Sequence, residues 1–421
     1  MSLVPARRRR YHASWSSSGE NSMPTHDTPT RWLTVTVMVA CGVVAALQVG
    51  KAAIAGPLLQ ADLGLNLDAL GWLTGIFAVL GVLAGIPAGA MVTSAGSRRV
   101  LIAGLLALAA GSAMGAASPA YAWLLGSRVI EGAGFLCITV AAPSILQRDD
   151  VVRRRSRDAA FSLWSCFMPA GMAIAMLAGP AFNGWRSLWW TSSALALLAA
   201  LAARLTVPAD TTRAPWHGPA LRRDAARVMT AGAPLLLAMG FALYSLMFFA
   251  LFSFLPVLLI ERMAVSLHTA GALSALACAA NIVGNLAAGY LLSRGASRPM
   301  LLACAFTAMG AAAWGIFLPV LPDAAAFTLC IAFSAIGGVI PAALLSAAPS
   351  VAPAAGLAPI VLGLVMQGNN LGQIVGPVAV GSAINHYGWP AAALIVALAA
   401  LLALVVSAAL RRPACPASEA S

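Results

Sequence analysis

Long apolar runs separated by short polar breaks dominate this chain, and the runs are of bilayer length. The roughly 30 Å hydrocarbon core of a membrane needs about 20 helical residues. Stretches of that order occur at 32–58, 69–93, 99–117, 121–146, 159–182 and 187–204, and again at 229–260, 267–293, 299–318, 324–347, 355–384 and 388–410. We number these predicted helices 1 to 12. The polar breaks divide the chain into a tail at 1–30, a first six-helix set at 31–204, a linker at 205–228, a second set at 229–410 and a tail at 411–421. The expected fold class is an all-α polytopic membrane protein whose twelve transmembrane helices form two pseudo-symmetric six-helix bundles.

Composition agrees: 61% of the 421 residues are hydrophobic, 9% are charged, and the mean hydropathy is +0.88. A soluble domain carries about a quarter charged residues. If alternate loops face opposite sides, 21 of the 25 Lys and Arg lie on the side of the termini, Arg186 and Arg262 on the other, and Lys51 and Arg128 within the membrane. The positive-inside rule then makes both termini cytoplasmic in a bacterial inner (plasma) membrane. The same loops account for the net charge of +12, so no nucleic-acid partner is implied. The tail from Met1 to Thr30, with Arg7 to Arg10, is expected to be disordered. A cleaved signal peptide is not expected, because the apolar run after the tail is too long and lacks a small-residue cleavage site; Met23 is a second candidate start.

The inventory excludes several chemistries. Seven cysteines show no paired spacing, and six of them lie in apolar segments as small hydrophobes. The five histidines, at 12, 26, 217, 268 and 386, fall in tails, loops or helix ends, so neither a metal cluster nor an intramembrane His base is expected. The sole Gly-Lys pair, Gly50-Lys51, is followed by Ala52 inside a membrane helix and is no phosphate loop. No enzyme activity and no cofactor are expected.

The candidate chemistry is the charge left at depth. Lys51 is the only lysine in the chain, and Arg128 and Glu131 are the other ionisable residues placed inside the membrane. Such charges are costly unless paired or hydrated, which makes them functional-site candidates; a structural ion pair on helix 4, or a lysine snorkelling to the headgroups, is the plainer alternative. At 1.5 Å per residue, Lys51 and Arg128 both lie about 10 Å below the outer surface. Glu131 is one turn deeper, on the face of Arg128. One carboxylate against two cations leaves a positive surplus that a substrate anion would neutralise. Glu131, tuned by Arg128 and Lys51, is the expected proton-coupling acid. Gln48 in helix 1 and the amides Asn281, Asn285, Gln367, Asn370 and Gln373 of helices 8 and 11, with Asn369 alongside, complete the substrate-binding candidates, since buried amides require partners; interhelical bonding is their plainer role. Met168, Met172 and Met176 offer an adaptable apolar wall or plain packing.

Matched landmarks in the two halves indicate a duplication. Gly89 to Arg98 is echoed by Gly289 to Arg298, Gly179-Pro180 by Gly376-Pro377, and Gly184-Trp185 by Gly388-Trp389, at offsets of 200, 197 and 204. Parallel six-helix repeats with a site between them describe one class of secondary transporter. The loop from Gly89 through Thr93, Gly96 and Arg98 resembles the helix 2 to 3 signature of the major facilitator superfamily. In that signature a glycine permits close packing and an aspartate plus arginines latch a cytoplasmic gate. Thr93 stands at the aspartate position; in the second half Ser293 does, with Gly289 and Arg298 around it and Ala296 where the second glycine would be. These departures weaken a charge latch. Arg128-Val-Ile-Glu131-Gly132 is similar to the superfamily's helix 4 motif, whose arginine is associated with proton coupling. Gly179-Pro180 resembles the antiporter signature only in part, with Ala175 and Asn183 at positions usually glycine.

A closer resemblance is to the cyanate and nitroimidazole transporter-like branch. It is carried by Gly50-Lys51, Arg128-x-x-Glu131-Gly132, Pro169-x-Gly171-Met172 and the run from Gln367 to Gln373. Together these imply a monomeric secondary transporter with alternating access, taking a small, anionic solute with protons as coupling ion. The alternative is a drug or metabolite exporter with a largely apolar pocket, in which the charges serve structure and coupling.

Overall fold

A computed structural model describes residues 30–153, 156–210, 218–354 and 357–410. The terminal tails, with Arg7 to Arg10, Met23 and Cys415, and the linker positions Arg213 and His217 lie outside the described residues. All regular structure among those described is helical. Helix 1 is Trp32–Ile54, extended by Gly56–Leu63; helix 2 runs Leu67–Gly75, a 3₁₀ turn at Ile76–Ala78, and Val79–Ala95. Helix 3 is Ser97–Ala116 and helix 4 is Tyr121–Leu146. Helix 5 comprises Arg157–Ser165 and Phe167–Ala178, and helix 6 is Trp185–Thr206. In the second half, helix 7 is Gly232–Phe252 with Leu255–Met263, helix 8 Leu267–Ser293 and helix 9 Arg298–Phe317. Helix 10 is Asp323–Gly337 with Val339–Ala347, helix 11 Ala358–Tyr387 and helix 12 Pro390–Ala409.

Eleven of these are long and apolar enough to span a membrane. Helix 11 is the longest at 30 residues, and its amides lower its hydropathy. The polar linker itself contains a helix, Gly218–Thr230.

The duplication is visible in local chemistry. Helix 2 is capped by the Asn66 side chain, which accepts from the Ala69 N–H at 2.9 Å, and helix 8 by Ser266, which accepts from the Thr269 N–H. A side-chain oxygen at the first position satisfies amides the helix leaves unpaired. The Gly-Trp landmarks play one role in both halves: Trp185 Nε1 donates to Asp62 at 2.8 Å and Trp389 Nε1 to Glu261 at 2.9 Å, each tying the entry of the sixth helix of its half to the extension of the first. The second landmark sits at the interface between halves. Gly71 of helix 2 packs on the Pro377 backbone of helix 11, and Gly271 of helix 8 packs on Met176 of helix 5 and on Pro180 in the 3₁₀ turn Gly179–Ala181 that follows it. A side chain at either glycine would collide with that backbone. These contacts lie on the side of the membrane away from the termini, where they close the two halves together.

In the loop landmark, Gly96 has φ +96° and begins helix 3. At the equivalent position in the second half stands Ala296. Gly295, one residue earlier, takes the positive φ of 84°, and the Ala296 N–H reaches back to the Leu291 carbonyl at 3.0 Å. The helix end is thereby closed in the manner of a glycine C-cap.

Candidate functional site

The three membrane-depth charges meet. Lys51 Nζ donates to Glu131 Oε1 at 2.6 Å and to Ser112 Oγ at 3.0 Å. Arg128 Nη1 donates to the other carboxylate oxygen, Oε2. All three side chains are fully buried. Ser112 of helix 3 supplies one hydroxyl proton between two acceptors, Glu131 Oε1 at 2.7 Å and Gln48 Oε1 at 3.1 Å. Aromatic faces cover the cations: Lys51 Nζ lies 4.5 Å from the Trp189 ring of helix 6, and the Arg128 guanidinium 4.5 Å from the Phe77 ring of helix 2. A cation over a ring face recovers part of what it loses on leaving water. Arg128 Nε donates to the Leu73 carbonyl at 3.2 Å, in the turn just before the 3₁₀ segment of helix 2.

The cluster therefore draws on helices 1, 2, 3, 4 and 6, all from the first half. Lys51 turns within the first half, toward Ser112 of helix 3, Glu131 of helix 4 and Trp189 of helix 6. The physical reason is solvation. A lysine at this depth is stabilised where a carboxylate, a hydroxyl and an indole face converge, and the first half supplies all three. Two donors in the cluster, Arg128 Nη2 and Trp189 Nε1, are buried without a hydrogen-bond partner among the described residues. Ser112, Trp189 and Phe77 were not singled out in the sequence. A serine between Gly111 and Ala113 in an alanine-rich helix was the available signal for the first; nothing in the local pattern marks the two aromatics.

The second-half amides divide by role. Asn281 Nδ2 donates to the Ser334 carbonyl at 3.0 Å and to Tyr244 Oη at 3.2 Å, and Asn285 Nδ2 to Asn281 Oδ1 at 2.9 Å. Asn369 Oδ1 accepts from Ser245 at 2.7 Å, and Asn370 Nδ2 donates to its own helix at Met366. Gln367 crosses between halves, its Nε2 donating to the Val82 carbonyl at 2.9 Å. Gln373 is completely buried, and neither end of its amide has a partner among the described residues. Met172 and Met176 are buried where helix 5 meets helices 1 and 8.

The gating candidates lie on the terminal side. Gly89 and Thr93 fall in helix 2, with the surroundings of their side chains outside the described residues. Gly96 approaches Asp210, whose carboxylate accepts from the Ser97 and Arg98 N–H groups, each at 3.1 Å, and pairs with Arg148 at 3.2 Å. A carboxylate on a helix N-terminus is favoured by the dipole. An aspartate thus serves this loop after all, but it comes from the chain after helix 6 rather than from position 93. The Arg98 guanidinium binds the Arg204 carbonyl. In the second half Gly289 is exposed, Ser293 Oγ binds the Tyr290 carbonyl at 2.7 Å, and Arg298 opens helix 9 at the surface.

Two six-helix halves, with a buried charge cluster in one and buried amides in the other, are the architecture of a polytopic membrane transporter. The chain belongs to the Major Facilitator Superfamily, whose family model matches residues 38–358; this is a family of transporters rather than enzymes. Among curated proteins it is 31% identical over 210 residues to a chloramphenicol resistance protein of Streptomyces lividans, covering 47% of this chain and 50% of that one. It is also 27% identical over 187 residues to a puromycin resistance protein of Streptomyces alboniger, covering 43% and 36%. The matched part of this chain spans half or less of the length of these relatives. A solved structure with the same fold is that of a bacterial homolog of the human lysosomal transporter Spinster, inward-facing and occupied, with TM-score 0.71, 18% identity, and coverage of 91% of this chain and 96% of that one.

Proposed function

We propose that this protein is a secondary transporter of a bacterial inner membrane that exports a small, largely apolar organic solute by alternating access, with Glu131 as the proton-binding group and both termini in the cytoplasm. One observation carries the reading: a single fully buried carboxylate holds both Lys51 and Arg128. The cluster has a formal charge of +1 when Glu131 is ionised. A proton on Glu131 raises it to +2 among five packed helices and removes the attraction joining helix 1 to helix 4. Proton binding is thereby linked to the packing of helices 1 and 4 within the first half. The Lys51 amine is already engaged by Glu131 and Ser112 and presents no free cation to a solute. The resemblance of part of the chain to resistance proteins supports export.

The test is transport in proteoliposomes. Glu131→Gln is expected to abolish accumulation driven by a pH gradient while leaving flux down the solute's own gradient, because the amide keeps the shape but carries no exchangeable charge. Accumulation that persists in this variant sinks the assignment.

A second reading, transport of a small anion, is favoured by the net positive charge of the cluster and by the two unpartnered donors, Arg128 Nη2 and Trp189 Nε1. Lys51→Met separates the two. Selective loss of anionic substrates, with neutral ones retained, favours the anion; equal effects on both favour the apolar solute.

A further inference from the structure

A groove of about 500 Å³ opens on the terminal side between the halves and shares no lining residue with the charge cluster. Its walls are Val82 and Ile86 of helix 2, Met239 and Ala242 of helix 7, and Leu371 of helix 11, and Arg222 of the linker helix lies at its mouth. The volume falls within the roughly 300–1,000 Å³ of ordinary ligand sites. Two of the wall residues, Met239 and Leu371, are nearly half exposed, on helices of spanning length, so this face meets hydrocarbon rather than water. Leu371 stands near the middle of the 30-residue helix 11. From there to Leu364, also on the wall, is seven residues, about 10 Å of a leaflet some 15 Å deep. The groove thus follows most of one leaflet and ends at a basic residue. Arg222 is exposed, as are Arg223 and Arg227 on the same helix.

We propose that the groove binds an anionic phospholipid of the leaflet on the terminal side, with an acyl chain along helices 2, 7 and 11 and the phosphate against Arg222. The observations favour a lipid over a free anion, because the walls are apolar except for Gln367, whose amide N–H is already bonded to the Val82 carbonyl, and the single cation sits where a headgroup would. One wall comes from the first half and two from the second, and the Gln367 to Val82 hydrogen bond joins them beside the groove. A bound lipid therefore braces the halves in the arrangement described above.

The test is lipid retention by the full-length protein, reconstituted in nanodiscs of phosphatidylcholine and phosphatidylglycerol in equal amounts and examined by native mass spectrometry. The wild type is expected to retain phosphatidylglycerol preferentially. Arg222→Gln should lower that preference about fivefold, the size expected for one basic residue at an anionic headgroup. Met239→Trp and Ala242→Trp fill the groove from different depths and should each remove the retained lipid, whereas Arg294→Gln, whose guanidinium lies over the Tyr290 ring instead, should change nothing. Equal retention of the two lipids by the wild type, an unchanged preference in Arg222→Gln, or full retention in a folded tryptophan variant would overturn the proposal. So would stabilisation by inorganic phosphate equal to that by phosphatidylglycerol, since it would assign the site to a free anion.

Discussion

In the first half, a carboxylate on helix 4 holds one cation from its own helix and one from helix 1; in the second half, the same depths are filled without charge. Counted from the first residues of helices 4 and 10, Tyr121 and Asp323, the places of Arg128 and Glu131 fall on Cys330 and Phe333. Counted likewise in helices 3 and 9, Ser112 falls on Ala313, and from the Gly-Trp landmarks Trp189 falls on Ala393. All four second-half residues are buried. A helix bundle of this size therefore packs well with cysteine, phenylalanine and alanine where the first half keeps an ion cluster. Replacing buried ion pairs by well-packed apolar groups is often neutral or stabilising. The difference teaches that the charges are not required for packing, and this is the physical ground for giving them a role in coupling.

The largest expected effect comes from breaking the cluster unevenly. Glu131→Leu leaves two buried cations without a carboxylate and should cost about 3–5 kcal/mol, the usual loss when one member of a buried pair is removed; thermal unfolding in detergent measures it. Converting the first half to the pattern of the second, with Lys51→Met, Arg128→Met and Glu131→Leu together, should recover most of that stability and still lack accumulation driven by a pH gradient. A triple variant that remains proton-driven would show the cluster to be structural, and the comparison between halves would then carry no functional lesson.

Next in size are the paired glycine contacts that the halves share. Gly71→Leu and Gly271→Leu each force a side chain into backbone across the interface and should cost on the order of 1–3 kcal/mol in the arrangement closed on the far side. Both should raise the labelling of cysteines introduced beside Pro377 and Pro180 by a membrane-impermeant thiol reagent. Unequal behaviour of the two variants would show that the symmetry of these contacts is not matched in energy.

A smaller effect is expected at Asn281, the centre of the second half's polar contacts. Asn281→Ala removes its bonds to Tyr244 and Ser334 and should cost about 1–2 kcal/mol, with no change in the pH dependence of transport. A shifted pH profile would assign the second half a part in coupling.

The smallest is at the exposed tie between helix extension and Trp landmark. Hydrogen bonds from Trp185 and Arg186 hold the Asp62 carboxyl below its ordinary value. Its contribution is present above the unfolded carboxylate's pKa of roughly 3.9 and is lost as pH falls through the lower folded value. The difference in unfolding temperature between wild type and Asp62→Asn should therefore be small and constant from neutral pH to about 5, and should close below about 4. A difference that instead varied between pH 6 and 8 would mean another group controls this tie.

The spacing of apolar runs determined the helices, because a bilayer leaves backbone amides no partner outside a helix and sets its length. The offsets near 200 determined the duplication, and the matched caps at Asn66 and Ser266 and the matched Trp ties show why: each landmark solves a local problem that recurs in both halves. The i, i+3 spacing likewise placed Arg128 and Glu131 on one face. What the sequence could not contain is the direction in which Lys51 points, since a helix wheel gives a face but not its neighbour. Only the packing of helices 1, 3, 4 and 6 brings Ser112 and Trp189 to that amine. The same holds for Asp210, which is far in sequence from the helix it caps. Charge pairing in a low-dielectric interior is decided by which side chains converge within a few ångströms, and convergence is a property of the tertiary structure alone.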